Sequence, residues 1–167
     1  RYLPESADGR APLAALIAER PYQPYVPVET VEALFSVPPA VVSVCETPAR
    51  AAILNPVLHQ ALENRAYIVY QPGSPSWGLR SWIEVNHPEA RKDLGLLALA
   101  GKLGVAPDEV LYFGDSLNDL PVFESFPYTV AMDNARPEVK ALAWQTTASN
   151  AEDGVARFLS AWFDLSL

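Results

Sequence analysis

The feature that most constrains the fold is a run of four apolar residues, Val110 to Phe113, which stops at a glycine and is followed by carboxylates. Bulky and β-branched apolar side chains in such a short run are typical of a buried strand in a parallel sheet. Gly114 allows the backbone to turn tightly directly after this strand. Asp115 then falls at the carboxyl end of the strand, where open α/β sheets place their ligand sites.

A second carboxylate, Asp119, lies four positions after Asp115. If the chain turns into a helix between them, both side chains can face one small volume at the rim of the sheet, and two anionic oxygen donors there suit Mg²⁺. The structural alternative is a capping box, because Ser116 and Asp119 have the spacing at which both side chains satisfy free helix amides. The two roles are compatible with each other.

From Glu89 onward the pattern alternates between helix and strand. The predicted helices cover 89–103, 118–125, 134–143 and 151–163, and the predicted strands cover 110–113, 128–132 and 144–147. Leu94, Leu97 and Leu103 are expected to be buried positions of the first of these helices. The alternation predicts an α/β fold with parallel strands joined by right-handed crossovers.

The first half of the chain holds most of the 16 prolines, which indicates short elements separated by turns. The predicted elements are a helix at 12–20, an extended stretch at 21–27, a helical turn at 29–35, strands at 40–46, 65–70 and 79–85, and a helix at 48–63. Thr47 and Pro48 are predicted to start the last helix, and Pro56 to kink or shorten it. Its predicted apolar face is Ile53, Leu54, Val57, Leu58, Ala61 and Leu62. A helix on an antiparallel sheet is the economical packing for this set.

Composition excludes several classes of function. The formal net charge is −8, with 12 basic and 20 acidic residues. This argues against a nucleic-acid binder and against docking on anionic lipid, since both need a basic surface. A single cysteine, Cys45, cannot form an internal disulfide, which suits a cytoplasmic location. No apolar run reaches membrane-spanning length.

Four segments together resemble the haloacid dehalogenase-like (HAD) phosphohydrolases, and in particular their Cof-like subgroup. They are Gly114-Asp115-Ser116-Leu117-Asn118-Asp119, Val130-Ala131-Met132-Asp133-Asn134-Ala135 with Lys140, Asn150-Ala151-Glu152-Asp153-Gly154-Val155, and Lys92 at the start of a predicted helix. The resemblance implies a doubly wound, Rossmann-like core with a smaller α+β cap domain. It assigns 1–86 to an incomplete cap region and 87–167 to the C-terminal half of the catalytic core.

The same resemblance implies a chemistry and a set of site residues. A phosphate monoester of a small metabolite would be hydrolysed through an aspartyl-phosphate, with Mg²⁺ stabilising the transferring group. Asp115 would bind the metal, Asp119 would bind it through water or orient its ligands, and Lys92 would neutralise the phosphoryl group. The alternative for Lys92 is that it has no role in a site and is a solvent-exposed lysine at the start of a helix.

Weaker candidates complete the predicted site. Asn118 and Ser116 could bond the phosphate or hold the acidic loop. Asn134 could serve near the phosphate too, although capping of the helix at Ala135 is its default interpretation. Trp77 and Arg80 could touch substrate, with packing inside the cap as the commoner role for the tryptophan.

One departure from the family pattern matters most. The family's nucleophile lies in an Asp-x-Asp motif after the first strand of the core, and no such run occurs here. We therefore expect a missing N-terminal core segment, an open edge on the 110–113 strand, and no turnover by these residues alone. Two alternatives stay open: a catalytically degenerate HAD-like binding or regulatory module, and a phosphotransferase that uses the same residues with a different acceptor.

Overall fold

The structure is a computed structural model that describes residues 29–36, 39–73 and 79–165. The predicted helix at 12–20 and the extended stretch at 21–27 lie outside these residues. The elements in chain order are α1 (Val31–Leu34), β1 (Val41–Glu46), α2 (Pro48–Leu62), β2 (Tyr67–Gln71), β3 (Ser81–Asn86), α3 (Lys92–Leu103), β4 (Leu111–Gly114), α4 (Leu120–Ser125), β5 (Tyr128–Ala131), α5 (Pro137–Leu142), β6 (Gln145–Thr146) and α6 (Gly154–Trp162). The predicted α/β class is confirmed, and the largest boundary shifts are about one helical turn, as at α3, which begins at Lys92 rather than Glu89.

The first sheet is antiparallel, with the strand order β1-β3-β2, and α2 packs against it. Thr47 caps α2 as predicted, because its side chain accepts a hydrogen bond from the backbone N–H of Arg50, and Pro48 follows at the first helical position. Pro56 lies inside α2 without shortening it, since the helix continues to Leu62. In the register of the sheet, Tyr67 of β2 lies opposite Asn86 of β3. The start of β2 and the end of β3 therefore share the end of the sheet from which the chain continues to α3.

The predicted apolar face of α2 is wrong at three positions, Ile53, Val57 and Ala61, which are exposed. Ile53 and Val57 are 71% and 54% exposed, whereas Ala51 is completely buried. The partly or fully buried positions of α2 are 51, 54, 55, 58 and 62, a set with the three- and four-residue spacing of one side of a helix. Such a stripe covers only one side of a helix, and Ile53 and Val57 fall beside it. The predicted face was therefore too wide at these positions, and it did not include Ala51, the buried residue of the helix.

The second sheet is parallel, with the strand order β4-β5-β6 and Gly114 of β4 opposite Ala131 of β5. The predicted parallel pairing of these strands is confirmed. A buried cluster lies beside the sheet and joins α4, the end of β5 and α5. Its members are Phe123, Ala131, Met132, Ala135 and Val139. Within the described residues, β4 pairs with β5 alone and forms an edge of the sheet.

The predicted burial of the α3 leucines is also wrong within the described residues. Leu94 and Leu97 are about two-fifths exposed and Leu103 is 68% exposed, while Asp93 and Ala100 are the buried positions. An apolar stripe in a sequence shows that a helix has an apolar side, but it does not show what covers that side. Here no described residue covers it fully.

Across the three described ranges, the structure contains no helix with the length and apolar character needed to cross a membrane. The predicted division of the chain at residues 86 and 87 stays a prediction. It falls between the last strand of the antiparallel sheet and the helix that leads into the parallel sheet.

Candidate active site

The turn after β4 is built around a close approach that only glycine allows. A Cβ atom on Gly114 would lie 2.8 Å from Cε2 of Phe123 and 2.9 Å from Cβ and Cγ of Asp119. After this glycine the chain forms a short 3₁₀ turn, Leu117–Asp119, and then enters α4. Gly114 therefore lets the side chain of Asp119 fold back against the end of the strand.

Asp119 is the centre of the site. Its side chain is only 4% exposed. Oδ2 accepts hydrogen bonds from the backbone N–H groups of Asp115 and Ser116, each at 3.0 Å. Oδ1 accepts the hydroxyl of Tyr112 at 2.8 Å and forms a close ion pair with Nζ of Lys92. The bond to Ser116 is the acidic half of the predicted capping box, so capping and a role in the site coincide.

The electrostatics of this cluster favour an ionised Asp119. Burial by itself would raise the pKa of Asp119, but the hydrogen bonds from Lys92, Ser116 and Tyr112, together with the lysine charge, lower it below its ordinary value. The pKa of Tyr112 is raised, first by burial and then by its hydrogen bond to Asp119. Tyr112 therefore stays a neutral hydroxyl that donates to a carboxylate.

Lys92 lies at the first position of α3, and its Nζ also contacts Oδ1 of Asn118 at 3.2 Å. The structure thus brings together three of the predicted site residues: Lys92, Asn118 and Asp119. A lysine ammonium carries three donors, of which two are used here. The side chain is 45% exposed, so the third donor can reach a ligand at the rim.

Asp115 is held in a different way. Its Oδ2 accepts a hydrogen bond from Nδ2 of Asn134 at 2.9 Å, and Oδ1 of Asn134 accepts the backbone N–H of Asn150 at 2.9 Å. Asn134 therefore links the acidic loop to the turn that precedes α6. The default prediction of helix capping at Ala135 is wrong, because α5 begins at Pro137 and its N-cap is Arg136.

These residues fit a magnesium ion with one direct carboxylate ligand. Oδ1 of Asp115 accepts no hydrogen bond from the described residues, so it is available as a hard oxygen donor. Asp119 would have to give up one of its four donors before it could bind a metal directly. No group of three or more His, Cys, Asp or Glu side chains suited to a metal occurs in 29–36, 39–73 and 79–165. One or two carboxylates with water and substrate oxygens is a usual Mg²⁺ environment.

The two predicted substrate-contact residues do not join this cluster. Trp77 lies outside the described residues. Arg80 directly precedes Ser81, and Ser81 and Asn86 mark opposite ends of β3. A strand of this length spans roughly 16 Å. Arg80 therefore lies at the end of the antiparallel sheet that is remote from Lys92.

Sequence reasoning missed four residues next to the site. The guanidinium of Arg91 forms two hydrogen bonds to buried Asp93, at 3.1 and 2.9 Å, and stacks over the ring of Tyr67 at 5.5 Å. Tyr67 begins β2, which lies against the 3₁₀ turn that carries Asp119. Burial raises the pKa of Tyr67, and the charge of Arg91 opposes this shift. A strand of the antiparallel sheet therefore contacts the site, which no local pattern indicates.

The fourth missed residue, Tyr112, had a usable signal. Side chains two residues apart on a strand share a face, so Tyr112 points to the same side as Gly114. Because Asp119 approaches Gly114 on that side, an aromatic hydroxyl at position 112 is within reach of its carboxylate.

Comparison with known proteins agrees with this geometry. The model of the haloacid dehalogenase-like hydrolase family matches residues 46–159, so the chain belongs to this family. The prediction of a Cof-like member of the HAD superfamily is confirmed. The fold is shared with a haloacid dehalogenase-like hydrolase from Bacteroides thetaiotaomicron, with a TM-score of 0.69 and 24% identity over 96% of this chain and 57% of that chain.

Two curated relatives come from Bacillus subtilis (strain 168), and both are named 5-amino-6-(5-phospho-D-ribitylamino)uracil phosphatases. YitU is 34% identical over 120 residues, which is 72% of this chain and 41% of YitU. YcsE is 40% identical over 80 residues, which is 48% of this chain and 32% of YcsE. The chain thus spans less than half of the length of the curated relatives that it matches.

Proposed function

We propose that this chain supplies the lysine and acidic half of a Mg²⁺-dependent phosphatase site that acts on small phosphorylated metabolites. The observation that carries the proposal is the arrangement at the end of β4. A buried, ionised Asp119 holds Lys92, and the neighbouring Asp115 presents a free carboxylate oxygen at the same rim.

Each residue has a definite task in this proposal. Lys92 is oriented by Asp119 and Asn118 and directs its remaining donor to a phosphoryl oxygen. Asp115 would hold the metal, and Asn134 keeps its carboxylate in place. When bound, Mg²⁺ supplies positive charge against the phosphoryl oxygens. By the family resemblance, an aspartate from a preceding core segment attacks phosphorus.

The activities for which YitU and YcsE are named support a small phosphorylated substrate, since both are phosphatases of a phosphorylated ribitylamino-uracil. A catalytically degenerate binding module is less well supported. Such a module has no need to keep Lys92, Asp115 and Asp119 together at the carboxyl end of β4. Phosphoryl transfer to another acceptor would use the same residues. The cytoplasmic location remains a prediction.

The metal site can be tested without turnover. Asp115→Asn should weaken Mg²⁺ binding by roughly tenfold or more, because it removes the free anionic oxygen. Isothermal titration calorimetry with Mg²⁺ measures the affinity of each protein. Asp133→Asn is a matched control, since Asp133 is exposed, lies outside the site and pairs with Lys140. Equal affinities for Mg²⁺ in the wild type and in Asp115→Asn would refute the assignment.

Hydrolysis of p-nitrophenyl phosphate with Mg²⁺ tests the division of the active site. We expect the 167-residue chain alone to show no turnover, because it contains no Asp-x-Asp motif. Clear activity that Asp115→Ala abolishes would support a phosphatase and would overturn the need for a further nucleophile segment.

We also propose that a further core segment pairs with β4 and covers the leucines of α3. The open side of β4 within the described sheet and the exposed leucines support this, as does the 57% coverage of the Bacteroides structure. Unpaired strand edges and apolar patches favour association with another chain.

A pair of α3 variants tests this covering segment. Leu99→Gln with Leu103→Gln should change the free energy of unfolding by less than about 1 kcal/mol, because both side chains are more than half exposed. The same variant should bind less of an apolar dye and self-associate less in sedimentation experiments. Ala100→Gln, at a buried position of the same helix, should instead destabilise the chain. If the double variant destabilises as strongly as Ala100→Gln, the leucines are already covered.

A further inference from the structure

We infer that Arg136 is an anion-binding residue at the rim of the candidate site and that it binds a phosphate group. The inference deepens the proposed function, on which it rests for the identity of the substrate anion. It concerns a residue that lies outside the four segments on which the family resemblance was based.

The backbone of Arg136 is anchored at the acidic rim. Its N–H donates to the carbonyl oxygen of Asp115 at 3.0 Å, and its own carbonyl oxygen accepts N–H groups of Val139 and Lys140, each at 3.0 Å. Arg136 is therefore fixed between the loop that presents Asp115 and the first turn of α5. This position places the backbone of Arg136 directly beside the loop that carries the carboxylate we assign to the metal.

The guanidinium of Arg136 has no acidic partner within the described part of the chain. Among the described residues it forms no ion pair, and its Nε is enclosed without a hydrogen-bond partner. The neighbouring cations differ from it, since Lys92 pairs with Asp119 and Lys140 pairs with Asp133. Arg136 thus differs from both lysines, because no acidic side chain among the described residues neutralises its charge.

An enclosed donor without a partner is costly, and a movement of the side chain that lets an anion accept from Nε recovers the corresponding free energy. A guanidinium presents several N–H groups in one plane, an arrangement that matches phosphate oxygens. The chain carries a net charge of −8, and Lys92 is already paired with Asp119, so a phosphorylated ligand gains from a further cation that no carboxylate neutralises. Among the described residues, Arg136 is such a cation.

Titration of the full 167-residue chain with inorganic phosphate, in the absence of Mg²⁺ and at constant ionic strength, tests the inference. Binding is followed by calorimetry and by the NMR signal of the Asn134 side-chain amide, which contacts Asp115. Arg136→Gln should weaken phosphate binding about tenfold or more, the factor expected for one charge-assisted hydrogen bond. Arg136→Lys keeps the charge without the planar donor set and should fall between the wild type and Arg136→Gln.

Arg157→Gln is the matched control, because Arg157 is exposed on α6 and its loss changes the net charge by the same amount. Its phosphate affinity should equal that of the wild type. Three results would overturn the inference: wild-type chain that does not bind phosphate, unchanged affinity in Arg136→Gln, or an equal loss in Arg157→Gln. If Arg136→Gln fails to fold, the phosphate affinity of Arg136→Lys is compared with that of the wild type, and an equal affinity would overturn the inference.

This experiment is separable from the test of the phosphatase. If phosphate binding is lost in Arg136→Gln but Mg²⁺ binding is unchanged in Asp115→Asn, the anion site stands and the proposed metal site is refuted. If Mg²⁺ binding is weakened in Asp115→Asn but phosphate binding is unchanged in Arg136→Gln, the metal site stands and Arg136 is not an anion-binding residue.

Discussion

Replacing Gly154 with alanine should lower the free energy of unfolding by about 3 kcal/mol or more, because the new methyl group has no space. A Cβ atom there would lie 1.9 Å from the carbonyl oxygen of Ala148 and 2.9 Å from Cε of Met132. The backbone cannot move aside easily. The N–H of Gly154 donates to the Ser149 carbonyl at 3.0 Å, and its own carbonyl accepts the hydroxyl of Thr147 at 2.7 Å.

Urea denaturation of Gly154→Ala measures this effect, with Gly101→Ala as the matched control. Gly101 lies in α3, and among the described residues no atom beyond the adjoining turns of its own helix comes within 4 Å of the position of a Cβ there. That substitution should stabilise the chain by about 0.5–1 kcal/mol, since alanine favours helix more than glycine does. Two variants of the same chemistry should therefore shift the midpoint in opposite directions. A Gly154→Ala midpoint at or above the wild-type value would contradict the packing described here.

Asp119→Asn should destabilise the chain by roughly 3 kcal/mol and should also release Lys92 from its position. Four donors converge on the carboxylate: Lys92, Tyr112 and the backbone N–H groups of Asp115 and Ser116. An amide of the same shape replaces one acceptor oxygen with an NH₂ group, which then faces donors. Asp108→Asn is the control, because Asp108 is exposed, and its stability should stay within about 0.5 kcal/mol of the wild type.

The pH dependence of unfolding gives a second measurement on Asp119. The pKa of Asp119 is lower in the folded chain than its ordinary value of 3.8. Its contribution to stability is therefore complete above that ordinary value and is lost as the pH falls through the folded pKa. Wild-type stability should decline steeply in this acidic range, and Asp119→Asn should decline less. Parallel curves for the two proteins would show that Asp119 does not contribute in this way.

Much of the core could be predicted from local sequence. The strand before Gly114, the acids after it and the helices that follow leave local signals in apolar periodicity and in turn residues, and the structure shows them within about a helical turn of the predicted bounds. The predicted neighbours Lys92, Asn118 and Asp119 do meet. Gly114 was predicted only to allow a tight turn, and the structure adds that a Cβ atom there would collide with Phe123 and Asp119.

Other features could not be predicted, because they depend on residues distant in the chain. The stacking of Arg91 on Tyr67 joins the start of α3 to a strand of the antiparallel sheet, and such a contact leaves no periodic pattern in the sequence. Asn134 was given a local capping role, but its side chain bonds Asp115, nineteen residues earlier. The leucines of α3 were expected to be buried, since periodicity marks an apolar side without naming the partner that covers it.

The amino-acid sequence by itself determined the order of helices and strands, the parallel core and the cluster of acids at its rim, because each depends on neighbours within about a dozen residues. Only the tertiary structure decided how the two carboxylates differ. Asp119 is enclosed by four donors from three parts of the chain and acts as an anchor, while Asp115 keeps one oxygen free. Spacing can bring two acids together, but burial and hydrogen-bond donors supplied by other elements determine which of them a metal can reach.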